Sequence, residues 1–294
     1  MSRLINLVES SKARRKRLIV AAADDDVVLA AIKSAVEHEI VFPVLVGPRT
    51  DIEELSKQIG LNLSHCEIVD VPKDQSVTKA VELASKNGEL LMKGSVKTSD
   101  LMRTVLQEEY GLRIGATITM VSVFDIPSYH KLLAITDAGM IISPTLDQKI
   151  DMINISVKVM KKLGVQKPKV AILGAVEVPN AKMPATVDAA VLSKMNDRGQ
   201  IKDCIVDGPF ALDNAVSIQA ARHKGIESVV AGDADILIMP DIEAGNIFYK
   251  SMAFLANAKV ASVILGAKLP IVLTSRADSD ETKLYSIALA AMLS

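Results

Sequence analysis

Apolar runs and polar breaks alternate along this chain in a strand–helix–strand rhythm. LIVAAA (Leu18 to Ala23) is unbroken and suits a parallel strand buried on both faces. Asp24-Asp25-Asp26 then opens VVLAAIKSAVEHE. Acidic groups complement the positive end of a helix, and apolar positions recur there every three or four residues. VFPVLVG (Val41 to Gly47), closed by Gly47-Pro48, reads as the next strand. The three make a βαβ unit, whose crossover is expected to be right-handed.

The rhythm continues. It predicts a helix over Asp51 to Ile59, a strand over Glu67 to Val71, a helix over Ser76 to Lys86 and a short apolar stretch from Glu89 to Met92 running into Gly94. Thr98 to Gln107 reads as a helix capped by Thr98 or Ser99. A strand begins near Ala116, Leu132 to Ile142 reads as a sheet segment, and a helix spans Asp147 to Leu163. Further strands are expected over Lys167 to Val176, Ile201 to Pro209, the end of Val229 to Asp241, Ala258 to Gly266 and Leu269 to Ser275, before a helix from Glu281 to Leu293. No Ser/Gly/Pro-rich linker and no 20–50-residue period interrupts this series, so two interleaved lobes fit better than a tandem of domains.

Composition narrows the function. The chain has 294 residues, beyond the roughly 250 at which single cores tend to divide. Its 34 basic and 35 acidic side chains leave a formal charge of −1, which argues against a basic nucleic-acid binder and an acidic disordered chain. Aromatics are 3% with no tryptophan, so Ala, Val, Ile, Leu and Met must fill the core, as under helix-covered parallel sheets. Cys66 and Cys204 stand alone, which excludes a disulfide framework or zinc ribbon and points to a reducing, cytoplasmic setting. His38, His65, His130 and His223 lack HxH, HExxH or HxxxH spacing and read as surface or packing residues, so no metal site is expected. The basic run from Lys12 to Arg17 reads as a solvated lead-in, and no apolar stretch approaches the roughly 18 residues of a membrane span.

The dinucleotide fingerprint GxGxxG, the phosphate loop GxxxxGK[ST] and GxSxG are absent from the sequence. Candidate chemistry therefore rests on polar residues at strand ends, where open α/β sheets place their ligands. In Lys97-Thr98-Ser99-Asp100-Leu101-Met102-Arg103, Asp100 and Arg103 are three apart on one helix face; a surface helix with a local ion pair has the same pattern. Asp207 to Asn214 is turn-rich and follows a strand, as an ordinary strand-to-helix connection does. Asp241, Glu243, Asn246, Tyr249 and Lys250 occupy another strand-to-helix turn, fit for a ligand or for a plain capped helix. Thr274-Ser275-Arg276, followed by Asp278, Asp280 and Glu281, offers two hydroxyls and a fixed charge before a helix. That set suits a tetrahedral oxyanion, since arginine binds two phosphate oxygens at once; the acidic groups suit helix capping or proton transfer.

Taken together, AAADDDVVLAAI, GSVKTSDLMR, SPTLDQKIDMINIS, GAVEVPNAKMPATVDAAVLSKM, IVDGPFALDNAV, VAGDADILIMPDIEAGNIFYKS and GAKLPIVLTSRADS resemble the phosphate acyltransferases along nearly the whole chain. GAVEVPNAKMPAT and TSRADS lean to the butyryl rather than the acetyl side of that family. The resemblance implies a two-lobed three-layer α/β/α fold like the isocitrate and isopropylmalate dehydrogenases, with a cleft between lobes. It implies lobe I from residues 1–114 and 265–294, lobe II from 115–264, and a homodimer formed through lobe II.

The implied reaction is reversible acyl transfer between CoA and inorganic phosphate, by direct attack of the CoA thiolate on the acyl phosphate. No cofactor or metal is implied beyond the CoA thioester as substrate, and no nucleic acid or membrane partner. Residue by residue, Ser275 and Arg276 match the family's Ser-Arg pair, for the acyl or phosphate oxygen and for phosphate. Arg103 matches a second arginine for phosphate or the CoA pyrophosphate. Thr274, Asp278, Asn246 and Lys250 complete the substrate-binding set. The acetyl enzymes carry histidine where Lys97 stands and Arg-Pro where Arg103-Thr104 stands. Their aspartate six residues past the Ser-Arg arginine is Thr282 here, which leaves Asp280, or else Asp278, as the base.

Two other readings compete. A metal- and NAD-dependent decarboxylating dehydrogenase would need Asp207, Asp235 and Asp241 to converge on a divalent metal. A noncatalytic relative would bind CoA or an acyl phosphate without turnover.

Overall fold

A strand buried on both faces needs helices above and below it, and the alternating runs supply them. The computed structural model describes residues 2–115, 117–273 and 278–294. It divides into two compact units, Met1–Ala116 with Val260–Ser294, and Thr117–Lys259.

The first unit begins with α1 (Ile5–Ser11), β1 (Lys16–Ala21), α2 (Asp26–Glu37), β2 (Val41–Gly47), α3 (Arg49–Ile59), β3 (Glu67–Asp70), α4 (Ser76–Asn87), β4 (Leu90–Lys93) and α5 (Thr98–Val105). Strands β3, β2, β1 and β4 lie side by side and parallel, in that order. The chain steps outward from β1 to β3, then returns past β2 and β1 to β4. Right-handed crossovers therefore put α2 and α3 on one face and α4 on the other, and α4 packs on β1 and β2. The reversal makes a crevice between β1 and β4 at their carboxyl ends, the position where open sheets hold ligands. Lys16 and Arg17 are not a solvated lead-in: they begin β1 and pair with Glu89 at 2.6 Å and Glu67 at 3.0 Å.

The second unit contains β5 (Thr119–Asp125), β6 (Leu133–Thr136), α6 (Leu146–Lys162), β7 (Lys169–Leu173), α7 (Pro184–Asp197), β8 (Ile205–Phe210), α8 (Leu212–Val216), α9 (Ile218–His223), β9 (Ile236–Ile238) and α10 (Ile242–Phe254). Its strand order is β5-β6-β9-β7-β8, with β5 antiparallel to β6 and the other pairs parallel. The chain reverses between β7 and β9, which gives this unit its own crevice. The Leu132–Ile142 segment forms a strand only over Leu133–Thr136. Asp137 follows, and its buried carboxylate accepts from Thr119 Oγ1 (2.8 Å), Met120 N (2.9 Å), Gly139 N (2.6 Å) and Met140 N (2.8 Å). Four hydrogen bonds to one carboxylate hold the chain in a turn that cannot continue the ladder.

At the amino-terminal edge of this sheet Asp233 meets Lys169 at 2.5 Å, His130 at 2.7 Å and Lys131 at 2.9 Å. Burial alone would raise its pKa, but the hydrogen bonds from Lys169, Lys131 and His130 outweigh it and hold the carboxyl well below the usual range. A depressed carboxylate pKa contributes stability that is present above the unfolded value of about 3.9 and is lost as pH falls below it. Lys169→Met is therefore expected to lower the urea midpoint at pH 7 and to have a smaller effect near pH 3. Solvent screening keeps the difference to about 1 kcal/mol or less, and equal losses at both pH values would refute it.

The chain returns to the first unit through β10 (Lys259–Leu265), β11 (Ile271–Val272) and α11 (Asp280–Leu293). β11 lies parallel beside β4, and β10 runs antiparallel to β11. Of the last predicted strand, Leu269–Ser275, the described residues form a strand only over Ile271–Val272. From Thr282 to Met292 every residue of α11 is buried, as a helix apolar on all sides requires. It packs on α1 and α2. Ser11 Oγ donates to Ala288 O at 3.0 Å, and Ser286 Oγ accepts from Ser262 N at 2.9 Å. No described helix is long and apolar enough to cross a membrane.

Candidate active site

Parallel strands deliver the segments that follow them to one edge of the sheet. In the first unit β4 lies between β1 and β11, with Leu91 opposite both Ile19 and Ile271. The GSVKTSDLMR segment after β4 and the TSRADS segment after β11 therefore leave from neighbouring strands at the same edge. Thr274, Ser275 and Arg276 lie outside the described residues.

The turn after β4 is tightly built. Gly94 N donates to Ala21 O and Ser95 N to Ala22 O, both at 2.8 Å. A Cβ on Gly94 would stand 2.0 Å from Ala22 O and 2.5 Å from Ala21 O, so no other residue fits. Lys93 Nζ donates to Gly94 O and Val96 O, both at 3.2 Å, and fixes the turn from its own strand. Helix α5 starts from this support. Its N-cap is Lys97, with no side-chain cap, rather than Thr98 or Ser99. Arg103 is 75% exposed and 3.4 Å from Asp100, so the local pair read from the spacing forms while the guanidinium stays open to a ligand.

At the start of α11, Ser279 is the cap: its Oγ accepts from Thr282 N at 3.2 Å. Thr282, which stands where the acetyl enzymes carry aspartate, is buried, and its Oγ1 accepts from Ser279 Oγ at 3.1 Å. That position is part of a helix cap. Asp280, the first residue of α11, is 79% exposed. Lys283 Nζ reaches Asp278 O at 2.5 Å and Asp280 Oδ1 at 3.5 Å, with a side chain only 2% exposed. The sequence reading missed Lys283, although a lone cation directly before the mostly apolar run Leu284–Leu293 was a visible signal.

In the second unit the turn between β9 and α10 is a capped helix start, with Asp241 Oδ1 accepting from Ala244 N at 2.8 Å. Asn246 Nδ2 donates to Ala138 O at 3.2 Å. Lys250 Nζ lies 5.4 Å from the Tyr249 ring centre and 5.6 Å from that of Phe254, within cation–π range. Gly245 allows α10 to sit on the Asp137 carbonyl, 2.0 Å from where a Cβ would be. Among the described residues, then, Arg103, Asp278 and Asp280 belong to the first unit, and Asn246 and Lys250 to the second.

The aspartates required by the dehydrogenase reading do not converge. Asp235 immediately precedes β9 and accepts from Lys169 N at 2.8 Å, whereas Asp241 lies beyond its other end. Asp207 bonds the N–H of Gly208 at 2.8 Å within β8. Burial pushes the Cys66 thiol up to about 11, and burial followed by Asp203 does the same for Cys204. Both are neutral thiols at pH 7, poorly suited to act as nucleophiles.

The phosphate acetyl/butaryl transferase family model matches residues 3–90 and 73–291. The chain belongs to this family. It is 55% identical to a phosphate acetyltransferase of Thermotoga maritima, over 98% of this chain and 99% of that one. It is 48% identical to a phosphate butyryltransferase of Clostridium acetobutylicum, over 90% and 89%. A branched-chain phosphotransacylase from Enterococcus faecalis superimposes with a TM-score of 0.82 at 30% identity, covering 94% of this chain and 98% of that one. A 4-hydroxythreonine-4-phosphate dehydrogenase from Klebsiella pneumoniae shares the fold alone, with a TM-score of 0.55 at 13% identity over 94% and 98%. The family's α/β/α architecture is thus dehydrogenase-like, as expected from the sequence.

Proposed function

We propose that this protein transfers a short-chain acyl group, butyryl or branched C4–C5, reversibly between coenzyme A and inorganic phosphate. The observation that carries the reading is family membership across almost the whole chain, including the segments after β4 and β11. In the direction of acyl-CoA synthesis, the CoA sulfur bonds to the acyl carbon and negative charge moves to the carbonyl oxygen. The C–O bond to phosphate then breaks, and phosphate leaves with the electron pair. The thiol, of pKa about 8.5, gives its proton to Asp280, with Asp278 beside it in the substrate-binding loop. Ser275 and Thr274 donate to the acyl or phosphate oxygens, and Arg276 holds phosphate. Arg103 meets phosphate or the CoA pyrophosphate, and Asn246 and Lys250 are further substrate-binding residues. Every atom balances without an electron donor or acceptor, so no cofactor is required.

Acetyl transfer is the second reading, favoured by the 55% identity to a relative named phosphate acetyltransferase. The acyl pocket decides between them, and one methylene changes binding by only about 1–3 kcal/mol. The test supplies acetyl-, butyryl-, isobutyryl- and isovaleryl-CoA with phosphate and measures free thiol, with and without a chelator. The highest kcat/KM is expected with a C4–C5 substrate and is expected to be insensitive to the chelator. A preference for acetyl-CoA would select the second reading, and no turnover with any of the four would sink the transferase. Asp280→Asn is expected to lower kcat most where the thiol must be deprotonated, below about pH 8; a pH profile matching wild type removes Asp280 from that role.

The working form is a homodimer in a cytoplasmic setting. Support for the dimer comes from exposed Val187 and Val191 on α7 and exposed Ile247, Phe254 and Leu255 on and after α10, all in the second unit. Sedimentation of the intact chain measures this directly.

A further inference from the structure

We infer that Ile142 and Val178 are specificity-determining residues for the acyl chain: two apolar side chains open to solvent at the ligand edge of the second unit's sheet, where they contact a C4–C5 group and distinguish it from acetyl. The inference deepens the function proposed above and rests on it.

Both residues follow parallel strands of one sheet. Ile142 lies in the loop after β6 and Val178 in the loop after β7, with β9 between those strands, so both loops leave the carboxyl edge. Adjacent strands are about 4.8 Å apart, which places β6 and β7 about 10 Å from each other. The chain reverses between β9 and β7, and the crevice left by such a reversal is where an open sheet holds its ligand. Helix α10, which follows β9, carries Asn246 at that edge. Asn246 Nδ2 donates to Ala138 O at 3.2 Å, and Ile242 N donates to Ile142 O at 3.0 Å. The loop of Ile142 is thus bonded at two points to the helix of a substrate-binding residue.

The two side chains are open to water while the backbone around them is held. Ile142 is 76% exposed and Val178 is 65% exposed. Before Ile142, Asp137 accepts from Gly139 N and Met140 N, and the carbonyl of Ile142 itself takes the N–H of Ile242. Beside Val178, Glu177 Oε1 accepts from the fully buried Asn214 Nδ2 at 2.6 Å and from Lys224 Nζ at 2.7 Å. Two residues further on, Asn180 N donates to Thr186 Oγ1 at 2.8 Å. Apolar surface on a supported loop is what a chain-length contact requires, because a wall that yields accepts any chain. Acetyl ends at one methyl and covers little of such a surface, whereas each further methylene that does so changes discrimination by about 10- to 200-fold. The water lost from Ile142 and Val178 when the longer chain binds supplies the preference.

The test uses full-length wild type, I142S, V178S and V229S, and reads kcat/KM for acetyl-, butyryl- and isovaleryl-CoA, the phosphate KM, melting temperature and sedimentation. V229S is the control: Val229 is 62% exposed but lies in the segment leading into β9, not in a loop that leaves the carboxyl edge. I142S and V178S are each expected to lower the butyryl-to-acetyl and isovaleryl-to-acetyl ratios of kcat/KM about 10-fold or more, with the phosphate KM within about twofold of wild type. Because the replaced side chains are exposed, melting temperatures are expected to stay within about 2 °C of wild type. V229S is expected to keep the wild-type ratios. Wild-type ratios in I142S and V178S, an equal fall with all three acyl-CoA substrates, or a shift as large in V229S would overturn the inference. So would a dimer that dissociates in I142S and V178S while the ratios hold, since the pair would then face a second copy of the chain. Wild type separates the two levels. No turnover, or a preference for acetyl-CoA, defeats the proposed function and the inference together; a C4–C5 preference that survives both substitutions defeats only the role of Ile142 and Val178.

Discussion

Arg276→Ala is expected to lower kcat/KM for phosphate by about 10- to 150-fold, the loss of a charge-assisted contact worth about 1.5–3 kcal/mol. The same substitution should leave the acyl-CoA KM nearly unchanged. The asymmetry follows from charge. The protein as a whole carries a formal charge of −1, so no broad positive field gathers phosphate, and capture depends on particular guanidinium groups. Arg276→Lys is expected to recover only part of the loss, because an ammonium is a point charge without the planar fork that meets two phosphate oxygens. Initial rates with phosphate varied at saturating acyl-CoA measure the effect; saturation by phosphate at the wild-type concentration would remove Arg276 from the site.

Gly94→Ala should produce the largest loss of stability among single methyl additions at the carboxyl edge of the first sheet. Its new Cβ would lie 2.0 Å from Ala22 O, a backbone atom held in place by its bond from Ser95 N. Relief requires β1 and β4 to separate, which breaks both 2.8 Å bonds of the turn. A cost of about 3 kcal/mol or more follows from overpacking against backbone, roughly a 6–12 °C fall in melting temperature for a chain of this size. Gly111→Ala is the control. Gly111 has φ +60° but nothing within 4 Å of the added atom, so it pays only left-handed strain of about 1–2 kcal/mol. Equal losses in the two variants would show that the contact with Ala22 is not what demands glycine. Because Gly94 leads directly into α5 and Arg103, transferase activity is expected to fall with stability in Gly94→Ala and to persist in Gly111→Ala.

The alternation of apolar runs identified the strands well because burial on both faces leaves an unbroken apolar stretch, as in Leu18–Ala23 and Val41–Gly47. It extended Leu132–Ile142 too far because the chain turns on the hydrogen bonds of Asp137, two from Gly139 and Met140 just after it and two from distant Thr119 and Met120, and such bonds leave no mark on periodicity. It assigned no element to α1, α7, α8 or α9. In α7 the exposed Val187 and Val191 place apolar residues outside as well as inside, which blurs the helical stripe. The cap of α5 was misplaced because Thr98 and Ser99 have capping side chains, yet the chain enters the helix one residue earlier, after a turn fixed by Gly94.

By itself the sequence determined the α/β class, the family and the residue types available for an anion: Arg103 in one segment, Ser275 and Arg276 in another, with Asp278 and Asp280 following. Those are properties of local runs and of motif order, which a linear text carries in full. Only the tertiary structure decided that the first of these segments leaves β4 and the other leaves β11, adjacent parallel strands almost 180 residues apart in the chain. It also decided that Thr282 belongs to a cap and that Lys283 is buried beneath Asp278. Strand adjacency and burial arise from which surfaces exclude water together, and that is settled between distant parts of the chain rather than along it.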